Sequence, residues 1–506
     1  MAIPLDLRGP GTLDRALLSA RSLTGEVAFR TRLALPALGW AAVGAVFAIV
    51  QAAATVIDIK LGIVVAAALI VGAFVVARPA LIVCVASATI FVEALTFNGM
   101  AITRLLAPPM LLVALAELLR GSARVRLAAP IAWVGAYVSW AILSGLWTAS
   151  APGTRHALQS LAIALVFLLA FAALVNTERD LRQVLYVLAF TAALVGGLSV
   201  IAFRGDLGFG FIDLLQAGRS QGGVGDPDFF AAMQIISVPL VLVLASEATD
   251  RRVRGLLYVS VLVILASVFT SLSRGGFIGV ALLGLLFLGS RPEHIFRARR
   301  EKAIALVVIA IGLVAFFSRP FVREEVVTRA ETIYAPKTKS DKSGTGRTNL
   351  WKAAAKTARE NPAQGIGFGS FSYVSQQLLY ETPGVDPELI ERRDTGENKV
   401  AHNLYLGTAA ELGFTGLALY LGMMISTGIA LRRTVRRAFA AGSPFVGRVA
   451  HALLLGLAAW TVTSFFLSGE TARIFWIVVG LSLALPKLLP KAEPSGYVPR
   501  SNAPMS

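Results

Sequence analysis

The stretch AHNLYLGTAAELGFTG, residues 401–416, carries the chain from its longest polar segment back into an apolar run. His402 and Asn403 stand at the polar edge, and the residues after them have the composition of a membrane helix. If the helix begins near His402, then Tyr405, Ala409, Gly413 and Gly416 fall on the histidine's own face at helical spacing. Small residues on that face predict that a neighbouring helix packs closely beneath the imidazole. The chain is then a membrane protein with a near-neutral base at the boundary between water and lipid.

Composition supports this. The chain has 506 residues, 56% hydrophobic and 15% charged, with a formal charge of +17. Its mean hydropathy is +0.70. Continuous apolar runs long enough to cross a bilayer define an all-α polytopic protein, and their lack of alternation excludes an outer-membrane barrel. The positive charge does not point to nucleic acid, because it sits in short tracts between apolar runs, as the positive-inside rule expects. The one cysteine, Cys84, lies in an apolar run, which excludes an internal disulfide and a cysteine metal site.

Apolar runs lie at 33–56, 61–77, 79–97, 105–119, 128–148, 157–175, 183–203, 229–246, 255–271, 275–289, 303–317, 404–431, 448–467 and 473–489. A window of roughly 20 residues gives about 14 spans, or about 12 if two short ones are partial. Basic tracts at Arg120–Arg126, Arg251–Arg254, Arg297–Lys302 and Arg432–Arg437 then fall on one side throughout. This predicts a cytoplasmic tail at 1–32, transmembrane helices over 33–317 and a large outer loop at 318–402. Three further helices follow over 403–489, and a cytoplasmic tail closes the chain at 490–506. Within the loop, GRTNLWKAAAKTARENP predicts a helix ended by Pro362, with Leu350, Trp351, Ala354, Ala355 and Ala358 on its apolar face. That face is expected on the bilayer surface. A mobile stretch is expected around 337–346 and a flexible rim at 383–398.

Lone arginines beside apolar runs usually face protein or a cavity. Arg274 interrupts the run in SLSRGG, Arg219 lies in AGRSQGGVGDPDFF, and Arg347 opens the loop helix. Guanidinium forks converging at one leaflet would hold phosphate or pyrophosphate. The alternative for Arg274 is a plain turn with a snorkelling side chain. His402 is the histidine whose setting suits proton abstraction near neutrality; the alternative is a packing or capping role. His156 is a second, weaker candidate. No metal is expected, since there is no His-x-x-x-His pair and no cysteine cluster. Glu470 has no assigned role, and Glu93 is expected to pair with an arginine such as Arg104.

Taken together these elements resemble the O-antigen ligase and polymerase family of membrane glycosyltransferases. His402, Asn403, Gly413 and Gly416 match its His-Asn-x9-Gly-x2-Gly motif. SLSRGG, GRTNLW and NPAQGIGFGSF are similar to its Ser-x-Ser-Arg-Gly, Gly-Arg…Trp and Asn-Pro…Gly-x-Gly elements. Asp226 and Asp228 stand where asparagine is common. The resemblance implies a GT-C-like inner-membrane enzyme with its site at the periplasmic face. The donor would be a glycan on undecaprenyl diphosphate, and the acceptor a hydroxyl of lipid A-core or of a second lipid-linked glycan. His402 would be the base, Arg274, Arg347 and Arg219 the diphosphate ligands, and Asn403, Gly413 and Gly416 the support. Transfer would proceed with inversion, with no metal or other cofactor. Wzy-type polymerisation of lipid-linked repeats is the alternative to ligation. A protein O-glycosyltransferase, a transporter and a flippase stand further off.

Overall fold

A computed structural model describes residues 78–94, 96–97, 100–123, 125, 128–205, 214–334, 342–385 and 399–490. The expected tails at 1–32 and 490–506 lie outside it, except Pro490, as do the apolar runs at 33–56 and 61–77. So do residues 337–341 of the expected mobile stretch and 386–398 of the expected rim, while 342–346 belong to the loop helix.

The described chain is helical. It opens with α1 (Ala80–Thr89), α2 (Ile102–Leu119), α3 (Ala129–Leu143), α4 (Ala151–Leu174) and α5 (Glu178–Arg204). Next come α6 (Pro227–Glu247), α7 (Arg251–Thr270), α8 (Arg274–Gly289), α9 (Arg299–Phe317) and α10 (Pro320–Tyr334). Then follow α11 (Lys342–Glu360), α12 (Ser370–Tyr380), α13 (Leu404–Ala440), α14 (Pro444–Thr463) and α15 (Arg473–Ala484). Two short hairpins pair β1 (Thr96–Phe97) with β2 (Met100–Ala101) and β3 (Leu215–Gln216) with β4 (Arg219–Ser220). Every apolar run on described residues is a helix, and eight of these are long and apolar enough to cross a bilayer. The protein is an all-α, multi-pass membrane protein.

Local chemistry sets where the chain turns back. Thr177 and Asp180 form a capping box at the start of α5, and Asp250 caps α7 through Arg252 N. At the other end of the bundle, Asp226 caps α6, Ser273 caps α8 and Asn403 caps α13. α6 is apolar all round and 94% of its span is buried, which makes it the central helix. α5, α7, α8 and α14 pack around it. α13 lies against α3 and α14, and α15 against α4. At the end carrying the basic tracts, Arg182 and Arg448 both pair with Glu247, and Ser246 donates to Glu301 at 2.6 Å.

The loop helix is present as α11, but its apolar face does not meet lipid. Leu350, Ala353 and Ala354 are buried with Phe371 and Leu379 of α12, Ala401, and Ala410 of α13. Trp351 packs on Phe466, with ring centroids 6.3 Å apart. Periodicity identified the apolar stripe, and the bundle supplies the surface that covers it.

Candidate functional site

Three non-glycine residues among those described have a left-handed backbone: Ala217, Leu272 and His402, each with φ near +49°. Such conformations cost energy and persist where surrounding structure enforces them. All three fall on the elements singled out in the sequence.

Ala217 and Gly218 form the two-residue turn of the β3–β4 hairpin, both with positive φ, as a type I′ turn requires. The hairpin places Arg219 beside the α7–α8 turn. Its Nε donates to Ser271 O at 2.9 Å and its Nη2 to Asp228 Oδ1 at 3.0 Å. Leu272 is the left-handed hinge between α7 and α8. Ser273 then accepts from Gly276 N at 3.0 Å and hydrogen-bonds the Asp228 carboxylate. Arg274, the first residue of α8, follows directly. The next two glycines are there for fit. A Cβ on Gly275 would lie 2.9 Å from Phe466 Cβ, and one on Gly276 would lie 2.9 Å from Ala231 Cβ.

Asp226 and Asp228, left without a role by sequence, have different ones. Asp226 is the N-cap of α6, accepting from Asp228 N at 2.8 Å and Phe229 N at 2.7 Å. Asp228 is 3% exposed and bridges two guanidiniums: one oxygen receives Arg219, the other Arg347 from α11. The cluster thus carries one net positive charge. Each guanidinium has five N–H donors in a planar fork, so most of each fork is left over after the contact to Asp228. The structure brings Arg219 and Arg347 together on one carboxylate, with Arg274 one residue from its Ser273 partner.

His402 lies just before the cap of α13, not within the helix. Asn403 Oδ1 accepts from Leu406 N at 3.0 Å, and Leu404 N donates to Ser464 O at 2.9 Å, which fixes the backbone on both sides. Burial, and then the Arg347 guanidinium, hold the imidazole below the usual histidine range; Asp226 and Asp228 pull the other way. The side chain opens on a cavity of about 210 Å³ that is shared with Glu93, Asp226, Phe229 and Arg473. Glu93 pairs with an arginine, as expected, but the partner is Arg473, at 2.5 Å, rather than Arg104.

The glycines of the motif differ from expectation. Gly413, with φ 68° and ψ −178°, breaks α13. No continuous helical face therefore runs from His402 through Gly413 to Gly416. At the break, segment 361–367 lies across the helix. Ile366 N donates to Ala410 O at 3.0 Å, Gly367 N to Glu411 O at 2.8 Å, and Phe414 N to Pro362 O at 2.7 Å. Trp140 Nε1 takes Leu412 O at 2.9 Å. The carbonyls freed by the break are thus satisfied by the NPAQGIG segment, at Ala410 and Glu411, and by Trp140, at Leu412. A Cβ on Gly413 would sit 2.4 Å from the Ala363 carbonyl. The motif spacing separates His402 from the dock that anchors the loop.

His156 and Glu470 line a neighbouring cavity of about 190 Å³ together with Glu411. Burial pushes the Glu470 carboxyl up to about 7. Gly369 N and Phe371 N hold the Glu411 carboxylate, at 2.7 and 3.1 Å. His294 and His451 lie at the opposite end, with ring centroids 4.8 Å apart. Among the described residues, no group of three or more His, Cys, Asp or Glu side chains is placed to hold a metal. Sequence reasoning missed the bridge at Asp228 and the Glu93–Arg473 pair. The motif DPD signals a helix cap, but nothing local distinguishes its second aspartate.

None of the curated proteins compared matches the chain. Residues 259–421 match the sequence profile of the O-antigen ligase family. The match runs from α7 to the first part of α13 and covers Arg274, Arg347, His402, Gly413 and Gly416, while Arg219, Asp226 and Asp228 precede it. Within this multi-pass membrane protein, residues 259–421 are thus the part of the chain that is similar to the O-antigen ligase family.

Proposed function

We propose that the protein is a membrane glycosyltransferase. It would move a glycan from undecaprenyl diphosphate to an acceptor hydroxyl, in the ligation step of surface polysaccharide assembly. The observation that carries this reading is the pair of guanidiniums fixed on buried Asp228 next to a histidine held neutral. The remaining N–H groups of Arg219 and Arg347, with Arg274 at the start of α8, bind the diphosphate and offset the charge on the leaving group. Neutral His402 takes the proton of the acceptor hydroxyl as its oxygen attacks the anomeric carbon. The bond from that carbon to the diphosphate oxygen breaks on the opposite face. Its electron pair leaves with undecaprenyl diphosphate, and the configuration inverts. His402 then returns its proton to solvent.

The end of the bundle that carries the basic tracts lies opposite the site. By the positive-inside rule this supports an inner-membrane location with the site facing the periplasm and both termini in the cytoplasm. The donor lipid would enter sideways from the bilayer, with α11 and α12 over its sugars. Asp228 and Ser273 act as positioning residues for the arginines.

Deleting the gene and scoring surface glycan tests the reading. Lipid A-core without O-chain identifies a ligase, whereas core capped by one repeat identifies a Wzy-type polymerase. An unchanged glycan profile with lost solute uptake would overturn glycosyl transfer in favour of transport.

A further inference from the structure

A groove of about 670 Å³ lies at the end of the bundle that carries the basic tracts, opposite the site. The start of α3, the second half of α13 and the end of α15 wall it. On α13 its lining residues recur every three or four positions from Ala418 to Arg437, which is a single helix face. Trp133 of α3 packs on that face at Gly422, where an added Cβ would fall 2.3 Å from the indole Cε3. From Ala418 to Ala430 the lining is apolar apart from Ser426, whose hydroxyl is turned back onto Met423 O at 3.0 Å. Arg433 and Arg437 follow, both exposed and one helical turn apart. No carboxylate lines the groove among the described residues. The start of α3 lines it too, with no side-chain cap, so its N-terminal N–H groups add to the positive potential.

These features set the chemistry of an occupant. The apolar part of the face rises about 18 Å, close to the roughly 15 Å of hydrocarbon in one leaflet. The two guanidiniums stand one to two turns beyond it, at headgroup depth. An occupant that satisfies both parts has a long apolar chain and an anion at one end, and guanidinium forks match phosphate oxygens. A helix from elsewhere in the chain is too large: 20 helical residues, about 30 Å long and 10 Å across, fill roughly 2,000 Å³ or more. Residues 57–60, between the two apolar runs outside the described residues, carry Asp58 and Lys60 and so offer no net negative charge. We propose that the groove binds one phospholipid with an anionic headgroup. Its phosphate lies on Arg433 and Arg437 and an acyl chain runs along Ile429, Ile425 and Trp133. Basic pockets between membrane helices hold such headgroups by the same charge pairing. Such a site is independent of the glycosyl-transfer reading.

The test reconstitutes the full chain in bilayers of phosphatidylcholine brominated on its acyl chains, which quench nearby tryptophans. The part of the quenching that Trp133→Phe removes isolates the groove. Unbrominated phosphatidylglycerol should relieve that part with a preference of about thirtyfold over phosphatidylcholine, at about 1 kcal/mol for each of the two arginines. The double variant Arg433→Gln/Arg437→Gln should bring the preference to within about twofold of none. Ala430→Phe fills the groove below the arginines without touching their charge and should do the same. Arg432→Gln/Arg436→Gln removes equal charge from the same tract but outside the groove, and should keep a preference of about tenfold or more. A native preference in both Arg433→Gln/Arg437→Gln and Ala430→Phe would overturn the site. Equal loss in Arg432→Gln/Arg436→Gln would overturn it too, by assigning the preference to the diffuse charge of the tract. So would a Trp133 that brominated chains do not quench, since protein would then fill the groove.

Discussion

Gly413→Ala gives a quantitative test of the link between the loop and the membrane helix. The residue has φ 68° and ψ −178°, a region open essentially to glycine alone. An added Cβ would lie 2.4 Å from Ala363 C and O and 2.7 Å from Gln364 N, all backbone atoms that no rotamer change can clear. Segment 361–367 must therefore lift off. Lifting it breaks the bonds from Ile366 N to Ala410 O, Gly367 N to Glu411 O and Phe414 N to Pro362 O. Three bonds at about 0.5–1.5 kcal/mol each, with about 1–3 kcal/mol of backbone strain, give roughly 3–7 kcal/mol. A local contact weakened by that amount is open in most molecules. Hydrogen–deuterium exchange of a peptide spanning Ile366 and Gly367 measures it directly, with native protection expected to vanish and transfer to fall with it. Gly428→Ala, on the same helix, is the control, since its Cβ would meet nothing closer than 3.7 Å. Native protection of Ile366 and Gly367 in Gly413→Ala would refute the docking argument.

Other perturbations read the site itself. Arg347→Ala should reduce donor use more than Arg347→Lys, because lysine keeps the charge but loses the fork; donor kcat/KM checks this. Asp228→Asn leaves two largely buried guanidiniums without their carboxylate, and unfolding in detergent should come about 3–5 kcal/mol more easily. The two changes should also move the acid limb of the pH–rate profile in opposite directions. The base acts when neutral, so activity rises as pH passes its pKa. Arg347 lowers that pKa and Asp228 raises it, so the limb should shift up in Arg347→Ala and down in Asp228→Asn. Turnover should survive EDTA; strict dependence on an added divalent cation would take the leaving-group role away from the guanidiniums.

The parts of this structure that were readable in sequence are those fixed by local signals. Hydrophobic runs became helices because burial periodicity depends on a few neighbouring residues, whereas the caps at Asp226, Ser273 and Asn403 were not assigned from sequence. What escaped was decided across long separations. LGFTG has helical periodicity on both sides, and the helix breaks at Gly413, where residues 361–367 dock. Glu93 lies in sequence near Arg104, yet a partner 380 residues away reaches it. Asp228 could be seen as a departure from asparagine, but its meaning required Arg219 and Arg347 to arrive from separate elements. The stripe on α11 was legible as apolar, whereas its burial against α12 and α13 was not.

The central claim is that His402 accepts the proton of the attacking hydroxyl beside guanidiniums that hold the diphosphate. The most direct measurement is glycan transfer by purified native protein and His402→Gln across pH. The account predicts a native acid limb below the ordinary histidine value of about 6.5, because burial and Arg347 both disfavour the imidazolium. It also predicts a rate loss of about 10²–10⁴-fold in the variant. A His402→Gln protein that transfers glycan within a few-fold of native, with the same pH profile, would contradict it.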